Sequence, residues 1–174
     1  MQSETSKRRA VLAPFCRGIG VDIGYGGDPI KPSAVTIDLP RPYSHVGDHP
    51  LNLAGDARQL HWFRNGVLDY VFSSHLLEDF EDPLPVLVEW TRVLKKDGVL
   101  VLLLPDEQIY RQYCADTGQA YNVEHKNPDL SLDNFCAFID KHLDGLLCIH
   151  SESPVAVYSF EVVFRKLKEK VRRR

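Results

Sequence analysis

A chain of 174 residues is the size of one domain and can bury a substantial core. Its apolar share of 44% and charged share of 26% exclude a disordered or fibrous protein, and a net charge of −3 leaves no overall electrostatic case for binding nucleic acid or a membrane surface. No apolar run is long enough to cross a bilayer, and the basic residues near the start are not followed by the apolar core of a secretory leader, so a cytoplasmic protein is expected.

Residues 1–17 read as an N-terminal arm, in which Ser3 to Phe15 is either a short helix or extended chain. Gly18 to Ile23 is the first strand. It runs into Gly24-Tyr25-Gly26-Gly27-Asp28-Pro29, a glycine-rich turn where the backbone can take positive φ and approach a ligand closely. Val35 to Leu39 is a second strand carrying an acid, Asp38, near its end. A proline-rich loop from Pro40 to Pro50 follows, then a short strand from Leu51 to Ala54 that ends at Gly55-Asp56. Val67 to Ser73 is a fourth strand. Asp82-Pro83 starts a helix, with Asp as cap and proline in the first turn. Leu87, Trp90 and Leu94 form its apolar face, and Lys95, Lys96 and Gly98 end it, the glycine as a left-handed cap. The acidic run from Glu78 to Asp82 reads as a solvated loop plus this cap. Val99 to Leu104 is an uninterrupted apolar run of the kind found in central parallel strands covered on both faces.

Leu130 to Leu143 is again helical, capped by Ser131 and striped by Leu132, Phe135, Ile139 and Leu143. Two strands close the domain, from Leu146 to Ser151 and from Val155 to Leu167. In the last, Tyr158, Phe160, Val162 and Phe164 alternate with more polar neighbours. Strands alternating with helices and ending in a hairpin imply an α/β domain with a mostly parallel sheet, spanning residues 18–167 and followed by a basic tail, 168–174.

The four cysteines are scattered, with no C-x-x-C pair, which points to free thiols in a reducing compartment. His45, His49, His61 and His75 form no helical i, i+4 pair with a nearby acid, so no metal site is expected.

The first glycine turn is not the dinucleotide fingerprint, because Pro29 stands where the third glycine should fall. It is not a phosphate-cradling P-loop either, since Gly-Lys-Ser/Thr is absent. Asp22, Gly24 and Gly26 instead resemble motif I, acid-x-Gly-x-Gly, of the class I S-adenosylmethionine (SAM) methyltransferases. Three more segments, in the family's order, strengthen the resemblance. Gly55-Asp56-Ala57 is similar to the segment after strand three. Leu68 to Phe80 is similar to the fourth strand and its loop, with Asp79 in place of the common histidine. Glu89-Trp90-Thr91-Arg92-Val93-Leu94-Lys95-Lys96-Asp97-Gly98 is similar to the E-x-x-R-V-L-K-P-G-G passage into strand five, with Lys96-Asp97-Gly98 replacing its end. The resemblance spans about Gly18 to Asp106. Tyr25 to Ala34 holds two prolines and two glycines, which prevents a full crossover helix; this resembles a branch of methyltransferases of the type 11 kind with an abbreviated first helix. Asn122-Val123-Glu124-His125-Lys126 resembles an N-x-[DE]-H-K segment of related sequences.

The resemblance implies a doubly wound, Rossmann-like, seven-stranded sheet with an antiparallel C-terminal hairpin, and SAM as cofactor. It assigns Asp22, Gly24, Tyr25 and Gly26 to the methionine-side loop, Asp38 and its neighbour Leu39 to the ribose, Asp56 and Ala57 to the adenine, and Ser73, Ser74 and His75 to the floor of the methionine end. SAM supplies an electrophilic methyl, and the protein must hold it in line with the acceptor. His125 is the candidate base, because imidazole titrates near neutrality. The expected acceptor is a small molecule or saccharide-type compound, with neither nucleic acid nor membrane as partner, and with a homodimer left open. Two rival readings are a SAM-binding partner protein of the same fold that has lost turnover, and a nicotinamide or nucleotide-sugar enzyme on a doubly wound sheet.

Overall fold

The computed structural model describes residues 2–42, 46–168 and 172–173. Helix α1, Glu4–Leu12, opens the chain; the Ser3 hydroxyl caps it by accepting from the Ser6 amide at 3.0 Å. There follow β1 (Gly20–Ile23), β2 (Val35–Asp38), β3 (Leu53–Ala54), β4 (Leu68–Ser74), α2 (Pro83–Val93), β5 (Leu94–Pro105), α3 (Glu107–Thr117), α4 (Leu132–His142), β6 (Leu143–Asp144), β7 (Leu146–Val155), β8 (Ser159–Lys166) and β9 (Arg172–Arg173). Seven strands form one sheet in the order β3-β2-β1-β4-β5-β8-β7. The first five pair in parallel, and β8 runs antiparallel to both β5 and β7. Among the described residues no helix is long and apolar enough to cross a membrane.

The parallel order follows from burial. Leu100 to Leu104 are all fully buried, so both faces of β5 need cover. One face packs under α2 and α4, where Leu87, Trp90, Phe135 and Ile139 meet Val71, Leu100 and Leu102. On the other, Tyr70, Phe72, Val101 and Leu103 pack with Leu12 of α1, with Cys16 and with Ile30. No helix joins β1 to β2, as the prolines and glycines of that stretch predict, and α1 supplies the missing apolar cover.

Some details differ from the sequence reading. Helix α2 stops at Val93, and residues 94–98 already belong to β5. The left-handed residue there is Asp97, at φ 66°, a residue type that tolerates this conformation. Gly98 is needed for space instead: a Cβ on it would lie 3.0–3.1 Å from the carbonyl oxygens of Lys95, Leu68 and Asp69. Helix α3 was not expected; Asp106 caps it by accepting from the Ile109 amide, and Gly118 ends it at φ 71°. Lys166, 1% exposed, gives its ammonium to the carbonyls of Thr91 and Leu94, where cations favour a helix C-terminus.

Candidate active site

The carboxyl ends of β1, β2 and β4 meet at one edge of the sheet, the place where open α/β sheets bind ligands. The turn after β1 takes positive φ at Gly24, Gly26 and Gly27 (70°, 56° and 85°). It is tied to β2 by the Gly24 amide, which donates to the Ile37 carbonyl at 2.8 Å. A Cβ on Gly24 would stand 2.8 Å from Leu76 Cδ2. Beneath the turn lies Asp22, fully buried, with Oδ2 accepting from the Ile30 amide at 2.6 Å and Oδ1 left without a hydrogen-bond partner. Burial pushes this carboxyl up to about 8.

Two chambers open around the turn. The smaller, about 120 Å³, has Gly24, Gly26, Asp38, Ser74, His75 and Leu76 in its walls and is closed by Ser3, Glu4 and Thr5 of the N-terminal segment. The larger, about 370 Å³, runs past Asp48, His49 and Leu51, and shares Tyr25, Asp38 and Pro42 with the first. Asp38 therefore stands at the junction. Its Oδ2 accepts from the Gly26 amide at 3.2 Å and its Oδ1 from the Leu39 amide at 2.8 Å. The Ser74 hydroxyl is buried with no hydrogen-bond partner. His75 sits at φ 50°, with Nε2 3.0 Å from the Ser159 hydroxyl; burial lowers its pKa to about 4, so the ring is neutral near pH 7.

Of the residues assigned to the cofactor, Gly24, Tyr25, Gly26, Asp38, Ser74 and His75 come together at these chambers. The others do not line them. Asp22 supports the turn from behind. Ser73 donates to the Ile23 carbonyl at 2.9 Å and ties β4 to β1. Leu39 is 49% exposed. Both Asp56 oxygens are taken by the Arg58 guanidinium, and the Ala57 carbonyl accepts from the Trp90 indole at 2.8 Å. The closing residues Ser3, Glu4 and Thr5 had no signal in the sequence, since their place depends on how α1 packs.

His125 lies outside the chamber lining, in a buried polar cluster behind it. Its side chain is 6% exposed, and Nδ1 is 2.5 Å from Glu107 Oε1. Glu107, fully buried, also accepts from the Tyr121 hydroxyl at 2.7 Å. The link to the chamber is Glu78: its Oε1 is 3.9 Å from His125 Nε2 and 3.6 Å from His75 Nδ1. Glu78 is 1% exposed, and neither oxygen has a hydrogen-bond partner among the described residues. Burial holds its carboxyl well above the ordinary range. This corrects the reading of Glu78 as part of a solvated acidic loop: residues 122–130 fold over it, with the Lys126 amide donating to the Glu78 carbonyl at 2.8 Å. Asp82 does cap α2, accepting from the Leu84 amide at 3.0 Å.

The chamber residues fit SAM. Asp38 offers a carboxylate where a ribose would pass, Ser74, in the wall of the smaller chamber, has a buried hydroxyl with no hydrogen-bond partner, and Gly24 leaves room that a side chain would fill. The family described as methyltransferase domain matches residues 33–102, from β2 into β5. A sequence comparison with curated proteins finds no match. Among solved structures, a SAM-dependent methyltransferase from Thermotoga maritima, described as a possible histamine N-methyltransferase, superposes with a TM-score of 0.65 at 19% identity, covering 95% of this chain and 88% of its own. A SAM-dependent methyltransferase from Aquifex aeolicus gives 0.60 at 13% identity, covering 92% and 93%. The mitomycin 7-O-methyltransferase MmcR gives 0.63 at 21% identity, covering 93% of this chain and 53% of its own. These structures share the doubly wound, seven-stranded fold with this chain, and the family match lies over its strands from β2 into β5.

Proposed function

We propose that the protein transfers a methyl group from SAM to a small-molecule or saccharide-type acceptor. The observation that carries this reading is the pair of chambers joined at Asp38, with Ser74 and the Gly24 turn in the smaller one. Bound there, SAM would supply an electrophilic methyl carbon. The chain's own residues would bind and orient: Asp38 toward the ribose hydroxyls, Ser74 and the amides of the glycine turn toward the methionine end. A negative net charge of −3 favours a small acceptor over nucleic acid.

His75 is the imidazole on the wall of the smaller chamber among the described residues. His125 is assigned as a positioning residue. Glu107 fixes its ring through Nδ1, and its Nε2 side backs Glu78, which in turn backs His75. Calorimetry with SAM and S-adenosylhomocysteine, followed by labelled methyl transfer to a panel of small and saccharide acceptors, tests the proposal. Absence of binding by either compound would refute it. Binding with no transfer to any acceptor would favour a SAM-binding partner protein instead.

A further inference from the structure

The smaller chamber carries two carboxylate residues in its wall. Among the described residues lining it there is no Lys or Arg, and its carboxylates are Asp38 and Glu4. Asp38 already accepts from two amides. Glu4 is different. Its Oε1 is held by Lys7 Nζ at 2.6 Å and by the Tyr158 hydroxyl at 3.3 Å. Its Oε2 is buried and has no hydrogen-bond partner. The Ser74 hydroxyl, on a residue 8% exposed, is likewise unsatisfied at the same chamber.

Glu4 is held over the chamber by anchors on both sides of α1. On one side Ser3 bonds the Asp28 carboxylate, and Arg9 reaches Asp28 Oδ1 at 2.5 Å and the Pro29 carbonyl at 3.2 Å. On the other, Arg8 forks onto both oxygens of the buried Glu161 at 2.7 and 2.8 Å and reaches Glu152 at 2.7 Å. His150, Glu152 and Glu161 bring ligand atoms close enough together to hold a metal ion. The Arg8 guanidinium already serves as their cation, so that cluster acts as a lock for α1.

We propose that Glu4 is a cofactor-contacting residue whose free carboxylate oxygen faces the sulfonium of SAM, so that α1 gives the site a preference for the charged cofactor over its product. The proposal rests on the methyltransferase reading above. Methyl transfer converts the sulfonium to a neutral thioether, so the attraction is present before the reaction and gone after it. An opposite charge a few ångströms away in a partly screened site is worth enough to matter, and SAM and S-adenosylhomocysteine differ in that charge while sharing the ribose, adenine and amino-acid groups.

The test is calorimetric titration of the parent and Glu4→Gln with both ligands. Glu4→Gln should weaken SAM about tenfold or more, one decade being about 1.4 kcal/mol, while S-adenosylhomocysteine changes much less. Lys7→Met, which removes the ammonium held by Oε1, should move the preference the other way, toward SAM. It decides the matter if Glu4→Gln does not fold, because an unchanged preference in Lys7→Met overturns the proposal. Equal losses for both ligands in Glu4→Gln, or no loss, overturn Glu4 alone and leave the methyltransferase reading standing. A parent that binds neither ligand refutes that reading, and Glu4 with it.

Discussion

Gly24→Ala separates what the glycine turn does for the fold from what it does for the cofactor, because the chain carries its own control. Gly24 and Gly118 have almost the same φ, 70° and 71°. An alanine in that conformation costs about 1–2 kcal/mol, partly offset by the ~0.4–1 kcal/mol gained from a stiffer unfolded chain. The net is roughly 1 kcal/mol, or about 2–4 °C in Tm for a domain of this size. At Gly118 a Cβ meets nothing within 4 Å, so Gly118→Ala should show that loss and nothing more. At Gly24 the new methyl would lie 2.8 Å from Leu76 Cδ2 and 3.2 Å from its Cβ. Leu76 is a flexible side chain and can turn away, so the extra stability loss should be small. Leu76 also lines a chamber of only about 120 Å³, and room lost there falls on the methionine end of the cofactor. Both variants should therefore melt a few degrees below the parent, while calorimetry with S-adenosylhomocysteine shows parental affinity for Gly118→Ala and a loss of at least about tenfold, 1.4 kcal/mol, for Gly24→Ala. Parental affinity in a folded Gly24→Ala protein would refute the placement of the cofactor in this turn.

Asp38→Ala should weaken SAM and S-adenosylhomocysteine alike by about 1–3 kcal/mol, since both carry the ribose; equal binding to parent and variant would move ribose recognition elsewhere. Asp22, whose carboxyl is raised to about 8 by burial, holds a proton in the folded state that the unfolded chain releases near pH 4. Its contribution to stability is thus full below about pH 4 and is lost as pH rises through about 8, by up to about 1.4 kcal/mol per pH unit. Urea unfolding of Asp22→Asn between about pH 5 and pH 8 should show a flatter profile than the parent, and parallel profiles would contradict the buried neutral acid. His125→Ala should keep S-adenosylhomocysteine affinity, lower turnover by up to about 10²-fold through misplacement at the chamber wall, and shift the midpoint of the pH–rate profile because His125 faces Glu78. A full-rate variant with the parental profile would remove His125 from the site.

What was legible in the sequence is what local chemistry determines. The apolar run of β5, the acid at the end of β2 and the glycines after β1 read correctly because burial on both faces, a strand terminus and positive φ each leave a mark within a few residues. Helix α3 left almost none. Its buried positions are Glu107, Tyr110 and Cys114, one of them an acid, so no apolar stripe stands out between the Asp106 cap and Gly118. Glu78 was misread for the same reason: an acidic run is ordinarily solvated, and only the folding of residues 122–130 across it makes this member buried. The role of α1 was the least visible, since Arg8 meets a partner 153 positions away in sequence.

That last contact explains how a departure in one part of the chain shapes the site. Two prolines and two glycines between Tyr25 and Ala34 deny β1 and β2 their crossover helix, and Tyr70, Phe72, Val101 and Leu103 would otherwise lack cover on that face. Helix α1 fills the gap through Leu12, packed with Ile30 and Ala34 of the same abbreviated connection. Asp28, also within that connection, then receives Ser3 and Arg9. A helix seated by these contacts has its first turn over the glycine loop, which puts Ser3, Glu4 and Thr5 in the chamber wall. The missing helix, the docking of the N-terminal segment and the carboxylate facing the chamber are thus three consequences of one stretch of sequence. They predict that loosening α1 from Asp28 alters ligand binding without touching the strands. Asp28→Asn should lower the affinity for SAM and S-adenosylhomocysteine together, by weakening the closure they share. A folded Asp28→Asn protein with parental affinity for both would show that α1 covers the core but does not close the site.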